Sequence, residues 1–411
     1  MEAALSQGIL PFWLQRCRDR SYSGYLLCFD EEGRFTGEDD KYLVTQSRML
    51  WGFSHLQKKA PDSLKPEMEE AAASGFECLE NFFWDPKHGG FRWQTARNGA
   101  PLDSAKLTYG QSFAIYALSE YYLCSGNSQA LELACKTFEL LQCRAADNAN
   151  GGYFENLEED WSLSPGGAAA GDRKSLDIHM HLLEAFTTLA EATGDPIHLR
   201  KLSEVTDLIL RRMVNCREGY GYNQFDLRFR PIPAININRT WNADRQTGET
   251  IGEPADTTSY GHNVELSWLM DKAMRLTADP ETPVVKELLD HALSYGYDWE
   301  NGGVYRDGVA CRPALVHDKE WWQNFESMAG FLNGYLLYGD ARYWQAFQQT
   351  WGFVRRFFLH PVLGESRQLL DVRGTPIAGQ LGNPWKGIYH TGRALAECLD
   401  RLDKLIETKE E

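Results

Sequence analysis

Apolar and polar residues alternate with helical spacing over much of the chain. Residues 109–122 and 178–192 carry apolar side chains at positions i, i+3, i+4 and i+7, as one face of an amphipathic helix does. Short segments beside glycines, such as residues 90–94, alternate with a period of two and predict small β-hairpins. The pattern therefore predicts an all-α fold whose helices are joined by short β-hairpin turns.

A turn that combines glycine with an aromatic residue recurs along the chain and marks a structural repeat. Its copies are separated by roughly 65 residues, apart from one longer interval, which we interpret as an inserted loop at residues 231–254. Each interval has room for two helices, and a helical hairpin buries both faces only by stacking on its neighbours. The copies are residues 23–25, 89–91, 151–153, 219–222, 302–305 and, more weakly, 363–365.

Six helical hairpins can close into a double ring of inner and outer helices. We therefore predict an (α/α)6 barrel formed by a single domain, residues 1–411, with an open solenoid as the alternative. One polar or aromatic residue follows each glycine at a similar distance, which predicts that six such side chains face one central pocket. These residues are Arg48, Tyr109, His181, His262, Glu326 and His390.

The segment around His181 combines a histidine with two carboxylates on one helical face. Asp177, His181 and Glu184 have the spacing i, i+4 and i+7, whereas His179 is rotated by about 200° and faces elsewhere. A lone helical histidine is commonly a core residue bonded to a carbonyl, but the aspartate one turn earlier favours a functional role here. The helical spacing also argues against a His-x-His metal site, which requires a strand.

A second cluster, His262, Glu265 and Trp268, also lies on one helical face. A glutamate one turn from a histidine can hold its tautomer and raise its basicity. The alternative is a surface His–Glu pair of little energetic weight, which the apolar neighbours disfavour. The cluster is therefore a second candidate for acid/base chemistry.

Aromatic residues accompany the remaining candidates. Trp322 and Glu326 are one turn apart, which suits a sugar because an indole stacks on C–H faces while an acid accepts hydroxyl donors; the pair also suits an ordinary amphipathic helix. Trp385 and His390 stand at the start of the last predicted inner helix. Arg48 is the one cation at an otherwise apolar helix start, which suits an anionic or enolate partner.

Composition narrows the classes of function. The formal net charge of −16 disfavours nucleic acid and anionic lipid as partners, and no apolar run approaches the roughly 20 residues of a membrane span. The nine cysteines lack Cys-x-x-Cys spacing and the first residues do not resemble a secretory signal, which favours a cytoplasmic location. The sequence carries no nucleotide, cofactor or metal motif, so we expect no cofactor and no bound metal.

Several motifs resemble the N-acylglucosamine 2-epimerase superfamily, and most closely its cellobiose and mannose 2-epimerase branches. They occur in order from Arg48 to Arg393, so the resemblance covers nearly the whole chain. The resemblance implies an (α/α)6 barrel and an isomerase, a monomer or homodimer, that acts on a small-molecule sugar by deprotonation and reprotonation at C2 through a cis-enediolate. The matching segments are residues 109–111, 177–184, 262–265, 320–326 and 385–390.

Matching these motifs residue by residue implies roles for the site. His262 and His390 would form the acid/base pair, and Glu265 and Glu326 would orient and tune them. His181 would assist ring opening or bind the O1/O2 region of the sugar. The remaining residues that would contact the sugar are Arg48, at the enediolate oxygens, and the binding residues Tyr109, Asp177, Trp268, Trp322 and Trp385.

One departure from the family pattern bears on the substrate. Asp177 stands where the cellobiose enzymes carry asparagine, and a loop at residues 231–260 could cap the pocket; both favour a monosaccharide, D-mannose with D-glucose. Trp385 could instead support the second ring of cellobiose. Return of the proton to C1 rather than C2 would make the enzyme an aldose–ketose isomerase that converts mannose to fructose.

Two other classes of function compete with the epimerase. An (α/α)6 glycoside hydrolase would use opposed carboxylates such as Asp177 and Glu326, but would leave the histidines in register unexplained. A non-catalytic sugar-binding protein would use the aromatic residues without needing the acid/base set.

Overall fold

The computed structural model describes residues 1–234, 254–279 and 282–410 of the chain. Its helices are of two kinds. One kind, the inner helices, is almost wholly buried over the first three turns: α2 (Leu43–His55), α4 (Thr108–Ser125), α6 (Leu176–Thr193), α8 (Tyr260–Thr277), α10 (Trp321–Tyr338) and α12 (Ile388–Glu410). The other kind, the outer helices, buries mainly one face: α1 (Leu10–Arg16), α3 (Lys65–Cys78), α5 (Ser128–Leu140), α7 (Pro196–Leu208), α9 (Val284–His291) and α11 (Ala341–Phe353).

The inner helices contact one another in chain order, and α12 contacts α2, so the succession of neighbours returns to its start. Each inner helix from α2 to α10 packs against the outer helix that follows it. Helix α12 packs instead against α1 and the π-helical turn Ala4–Ile9 that precedes α1. The prediction of a mainly helical chain is confirmed, and the first and last described helices pair with each other.

The glycine turns follow the outer helices. Five of the described outer helices end in a π-helical turn, after which the chain reverses across the glycines, as in the antiparallel bridge of Trp84 with Phe91. Gly90 has a φ of +73°, and a Cβ there would lie 2.5 Å from the ring of Trp161, so conformation and space both require glycine. The π-helical turns are Leu79–Phe83, Leu141–Ala145, Ile209–Met213, Ala292–Gly296 and Val354–Phe358.

Short antiparallel strands link neighbouring units. In chain order they are β1 (Lys41–Tyr42), β2 (Gln94–Thr95), β3 (Pro101–Asp103), β4 (Lys106–Leu107), β5 (Asn156–Leu157), β6 (Arg173–Ser175), β7 (Val214–Asn215), β8 (Tyr220–Gly221), β9 (Gln224–Asp226), β10 (Thr257–Ser259), β11 (Asp307–Val309), β12 (Lys319–Glu320), β13 (Leu369–Leu370) and β14 (Pro376–Ala378). The pairs β1–β2, β4–β5, β6–β9, β10–β11 and β12–β13 each join the strand before one inner helix to the segment after the next glycine turn. Strands β3 and β14 extend two of these pairs. Only β7 and β8 form a hairpin across a glycine turn, as the sequence pattern predicts, among the described strands.

A buried lysine ties most of the inner helices to the glycine turn before them. The Nζ of Lys319 lies 2.7 Å from an Asp298 carboxylate oxygen and donates to the Gly302 carbonyl at 2.7 Å. Because a buried charge is tolerated only when paired and hydrogen-bonded, each such lysine specifies its turn. The pair recurs as Lys41 with Asp19, Lys106 with Asp85, Lys174 with Asp147 and Lys386 with Glu365.

The fourth unit replaces the lysine by Thr258, whose hydroxyl accepts a hydrogen bond from Asn263. We call Thr258 and the five lysines the frame residues. In the first five units the residue five positions after the frame residue binds the backbone of the turn; Asn324, for example, accepts the N–H of Val304 at 2.9 Å. In the sixth unit Thr391 donates instead to the side chain of Glu365. These contacts set the rotation of each inner helix about its axis. The equivalent residues are Gln46, Gln111, His179 and Asn263.

None of the described helices has the length and apolar character that crossing a membrane requires. Residues 235–253, the centre of the predicted loop at 231–254, lie outside the residues that the structure describes. The expectation that a loop at 231–260 caps the pocket therefore stays a prediction.

Candidate active site

A cavity of about 770 Å³ lies at the N-terminal ends of the inner helices and opens to solvent. Every inner helix contributes to the wall. The lining residues are Arg48, Tyr109, His181, His262, Glu265, Arg306, Glu320, Trp321, Trp322, Gln368, Leu369, Trp385 and His390.

The frame residues divide the candidate residues into two layers. Those three or four positions after a frame residue form the first layer: Tyr109, Asp177, His262, Trp322 and His390. Those seven positions after lie one helical turn deeper: Arg48, His181, Glu265, Glu326 and Arg393. Of the six residues predicted to face one central pocket, five line the cavity, and Glu326 contacts His390 without lining it. His262 and His390 do occupy the same position, on α8 and α12.

His390 is held by a glutamate from the neighbouring helix α10. Its Nδ1 lies 2.8 Å from Oε1 of Glu326, which also accepts a hydrogen bond from Arg393. Burial raises the pKa of Glu326, whereas the guanidinium of Arg393 opposes that rise and favours the carboxylate. When the carboxylate accepts the Nδ1–H, Nε2 keeps its lone pair and can act as a base. Burial and the nearby cations Arg48 and Arg393 lower the pKa of His390 well below its ordinary value, so the imidazole is neutral at pH 7.

His181 lies between two carboxylates of its own helix. Its Nδ1 is 3.0 Å from Glu184, and its Nε2 is 3.3 Å from Asp177. Burial lowers the pKa of His181, but hydrogen bonds with Asp177 and Glu184 outweigh burial and raise this pKa to about 9. Burial raises the pKa of Asp177, but His262 and His181 beside it bring the value down to about 2. His181 is therefore a cation and Asp177 an anion at pH 7.

His262 reaches the same aspartate from α8. Its Nε2 lies 3.5 Å from Oδ1 of Asp177. The indole of Trp322 lies against both members of the acid/base pair, with ring centroids 4.6 Å from His262 and 5.7 Å from His390. Glu265, expected to orient a histidine, accepts a hydrogen bond from Arg393, so a guanidinium balances its charge.

Arg48 is fixed in the wall by contacts on several sides. Its Nη1 donates to the Trp385 carbonyl at 2.9 Å, and its Nη2 donates to the Tyr109 hydroxyl at 3.0 Å. The guanidinium carbon lies 4.4 Å from the centre of the Phe113 ring. A cation held in this way at the edge of the cavity is preorganised to stabilise an oxyanion.

Trp268 does not line the cavity, which corrects its assignment to substrate binding. The side chain is 2% exposed, and the centre of its ring lies 5.0 Å from the guanidinium carbon of Arg393. Trp268 stands one turn beyond Glu265 along α8, so the face shared with His262 leads away from the cavity. Asp177 and Glu326 are not among the lining residues but contact them: Asp177 lies beside His181 and His262, and Glu326 beside His390.

His179 belongs to the core, as its angular separation from His181 predicts. Its Nδ1 lies 2.9 Å from the Ser175 carbonyl, and its Nε2 accepts the Tyr153 N–H at 3.2 Å. Burial lowers the pKa of His179 to about 4, which keeps the ring neutral. Its role is that of the glutamines at the same position in α2 and α4.

Residues from the turns complete the mouth of the cavity, and reasoning from single helical faces missed them. Arg306 and Gln368 occupy equivalent positions, four residues after Gly302 and Gly364 of their turns. The matching residue of another unit, Trp93, lies 5.8 Å from Trp385 between ring centroids. Alignment of the repeated units would therefore have predicted that the residues at this position lie at the mouth of the cavity. Other lining residues not predicted from the sequence are Glu320, Trp321 and Leu369.

One group of side chains in the described part of the chain could offer ligand atoms to a metal ion. These atoms of Glu265, Glu326 and His390 lie within 4.8 Å of one another. The guanidinium of Arg393 donates to both carboxylates. The donor set therefore already surrounds a cation of the protein and does not fit a divalent ion.

Comparisons with known proteins agree with this geometry. The family model described as N-acylglucosamine 2-epimerase (GlcNAc 2-epimerase) matches residues 24–394. The chain is 27% identical over 415 residues to a cellobiose 2-epimerase from Bacteroides fragilis, with 97% of each protein covered. It is 24% identical over 405 residues to the N-acylglucosamine 2-epimerase of Homo sapiens, with 97% of this chain and 88% of that protein covered.

A solved structure supports the same relationship. The cellobiose 2-epimerase from Spirochaeta thermophila matches with a TM-score of 0.84 and 28% identity, and the match covers 98% of this chain and 96% of that chain. The family model, the curated relatives and the solved structure thus agree along nearly the whole chain. The chain belongs to the N-acylglucosamine 2-epimerase family, a family of carbohydrate epimerases, and is an isomerase.

Proposed function

We propose that the protein is a sugar 2-epimerase that interconverts D-mannose and D-glucose. One observation carries the proposal: His262 and His390 occupy the same position on two inner helices, and each is paired with a carboxylate of another helix. Removal and return of a carbon-bound proton on opposite faces of a planar intermediate requires two such groups. The cavity between them is open to a small ligand.

The chemical step is a proton transfer at C2 of the open-chain aldose. One histidine takes the C2 proton on its ring nitrogen, the C–H electron pair forms the C1–C2 double bond, and the carbonyl oxygen becomes an enediolate oxygen. Arg48 donates to that oxygen as its charge develops. Rotation about C2–C3 presents the other face, and the second histidine returns a proton to C2. His390, neutral at rest, is the member ready to act as base.

His181 supplies the acid for ring opening. Its imidazolium, held between Asp177 and Glu184, donates a proton to the ring oxygen as the bond between C1 and that oxygen breaks, and the anomeric hydroxyl gives its proton to solvent as the C1 carbonyl forms. Closure of the ring reverses both transfers. An imidazolium with a carboxylate on each nitrogen keeps its orientation through both steps. This assignment gives His181 a role distinct from the pair that acts at C2.

The choice of a monosaccharide depends on Asp177. Its carboxylate only accepts hydrogen bonds, whereas an asparagine would also donate, so the two residues suit different sets of sugar hydroxyls. The relatives named cellobiose 2-epimerases, together with the Trp93 and Trp385 pair at the mouth, favour the reducing end of cellobiose as the alternative substrate. An aldose–ketose isomerase that returns the proton to C1 is the second alternative.

Proton NMR in D2O tests the proposal, with D-mannose and cellobiose supplied separately. We expect D-glucose that carries deuterium at C2. Fructose as the main product would make the protein an isomerase of mannose, and conversion of cellobiose alone would overturn the monosaccharide assignment. Absence of C2 exchange with both sugars and with N-acetylmannosamine would overturn the proposed reaction.

We also infer that the closed succession of inner helices is an (α/α)6 barrel and that residues 1–411 form one domain. The contact of α12 with α2 supports both inferences. A cytoplasmic location and a monomeric or dimeric state stay predictions from the sequence.

A further inference from the structure

Arg393 lies at the floor of the cavity, one turn after His390 on α12. Its side chain is 1% exposed and is bonded to three carboxylates, each from a different inner helix. Its Nε donates to Glu326 at 3.1 Å. Its two terminal nitrogens donate to Glu184 and Glu265. One buried guanidinium thus joins α6, α8, α10 and α12.

Each of these glutamates stands beside a histidine that lines the cavity. Glu326 is 2.8 Å from Nδ1 of His390, and Glu184 is 3.0 Å from Nδ1 of His181. Glu265 follows His262 by three positions on α8, so the two share one helical face. His390 and His181 therefore reach Arg393 through one carboxylate each, and His262 is joined to Arg393 through α8, the helix that also carries Glu265.

We propose that Arg393 is the positioning residue of the site: it sets the relative placement of the three histidines and holds the Glu326–His390 pair in the form whose Nε2 is a base. The proposal deepens the proposed function, on which it rests. Arg393 itself stays behind the glutamates and does not line the cavity. It acts on the substrate only through them.

The shape of the guanidinium suits this task. Arginine presents five donors in a rigid planar fork, whereas the ammonium of lysine is a compact charge with three donors. The guanidinium carbon also lies 4.2 Å from the ring centre of Tyr389, whose hydroxyl donates to Glu184 at 2.7 Å. A lysine at this position would keep the charge but could not donate to three carboxylates in these directions.

Loss of Arg393 is expected to make proton uptake by the Glu326–His390 pair more favourable. Without the guanidinium, the buried carboxylates lack their shared cation, and the Glu326–His390 pair takes up a proton more readily. A proton on the imidazole ring removes the Nε2 lone pair directly. A proton on Glu326 would be donated to Nδ1 and would move the ring hydrogen to Nε2, with the same result. The charged groups that face His390 are Arg48 on α2, His181 on α6, His262 on α8, Glu326 on α10 and Arg393 on α12.

The pH dependence of kcat/KM for C2 proton exchange tests the proposal with Arg393→Lys. We expect kcat to fall by about 100-fold with a much smaller change in KM, because the histidines are displaced rather than the binding residues removed. We also expect the acidic limb of the profile to move to higher pH by about one unit. The position of that limb does not depend on how much of the variant is folded.

Arg401→Lys is the matched control. Arg401 is also a buried arginine of α12 and also faces the ring of Trp268, but its partners are Glu397 and Asn333 rather than the three glutamates. The acidic limb of the kcat/KM profile of Arg401→Lys should coincide with that of the wild type. A limb that moves equally in both variants, or in neither, would overturn the proposal.

A second variant covers the case in which Arg393→Lys does not fold. Glu265→Gln removes one negative charge next to Arg393 and should move the acidic limb to lower pH, the opposite direction; an unchanged limb would contradict the proposal. NMR titration of the His390 ring in the same variants separates this proposal from the proposed function. A wild type that exchanges no C2 proton would defeat the proposed function alone, whereas unchanged titration of His390 would defeat the role of Arg393 alone.

Discussion

His390 and His181 face the same cavity, both are buried, and both have a glutamate on Nδ1, yet their pKa values move in opposite directions. Burial lowers both. At His181, Asp177 adds a second acceptor on Nε2, and the two carboxylates raise the pKa to about 9. At His390 the one carboxylate is shared with Arg393, and the surrounding cations act in the same direction as burial. The second carboxylate, Asp177 at Nε2 of His181, therefore separates the acid from the base.

The origin of the partners explains why the two sites differ. Asp177 and Glu184 stand one turn before and one turn after His181 on the same helix, so local spacing alone delivers both contacts. The partner of His390 comes from α10, and Arg393 brings further charge from its own helix. The base thus depends on the packing of several helices, whereas the acid depends mainly on α6.

The largest expected effect is the loss of either member of the pair that acts at C2. His390→Ala and His262→Ala should each reduce net epimerisation by about 10³-fold, because each removes a group that exchanges a proton with C2. Incorporation of deuterium into the product, followed by NMR, measures the loss. Turnover near that of the wild type in either variant would remove that residue from the pair.

Asp177→Asn should make the charge state of His181 more like that of His390, which is neutral. One acceptor loses its charge, so the pKa of His181 falls and the basic limb of kcat/KM moves to lower pH. We expect kcat/KM at pH 7 to fall by about 10- to 100-fold. Asp172→Asn makes the same chemical change at an exposed neighbour and should leave the profile unchanged. A basic limb that stays in place in Asp177→Asn would show that another group sets it.

The pH profile of the wild type reports both sites at once. His390 must be neutral to accept a proton, and its lowered pKa places the acidic limb below pH 6.5. His181 must be charged to donate one, so activity falls as pH rises through about 9. Beyond each limb kcat/KM should decrease by about tenfold per pH unit. A basic limb near the ordinary pKa of histidine would contradict the assignment of His181.

The smallest effect is expected at the histidine nearest to His181 in sequence. His179→Gln should keep kcat within about threefold of the wild type, because a glutamine amide can still bind the backbone of the glycine turn. Gln46 and Gln111 make this contact in the first two units. A loss comparable to that of His390→Ala would mean that His179 takes part in the chemistry.

Much of the architecture follows from the sequence because it depends on periodic, local signals. Helical spacing gives the helices, and the glycine turns give the number of units. The same spacing places Asp177 and Glu184 beside His181. The frame residues were also present in the sequence, as a lysine five positions before Gln46, Gln111, His179 and Asn324, but they are visible only when the units are aligned on them.

Contacts between helices could not be predicted in this way. The pairing of His390 with Glu326 depends on the rotation of α12 against α10, which the frame contacts set and helical spacing does not. Trp268, one turn beyond Glu265 on α8, lies against Arg393 of α12, a contact that spacing along α8 does not reveal. Arg306 and Gln368 were not predicted to line the cavity because they follow turns. In the turns, the position along the repeat rather than an amphipathic pattern determines where a side chain points.

The pairing of the first and last described helices has a consequence for biosynthesis. Trp13 of α1 donates to Glu365 at 2.6 Å, and Glu365 is the partner of Lys386 at the start of α12. The ribosome synthesises α1 long before α12. Helix α1 therefore cannot pack against α12 until α12 has left the exit tunnel. Until then α1 and the open flank of α2 expose apolar surface. The nascent chain is therefore a natural client for chaperones until translation has passed α12.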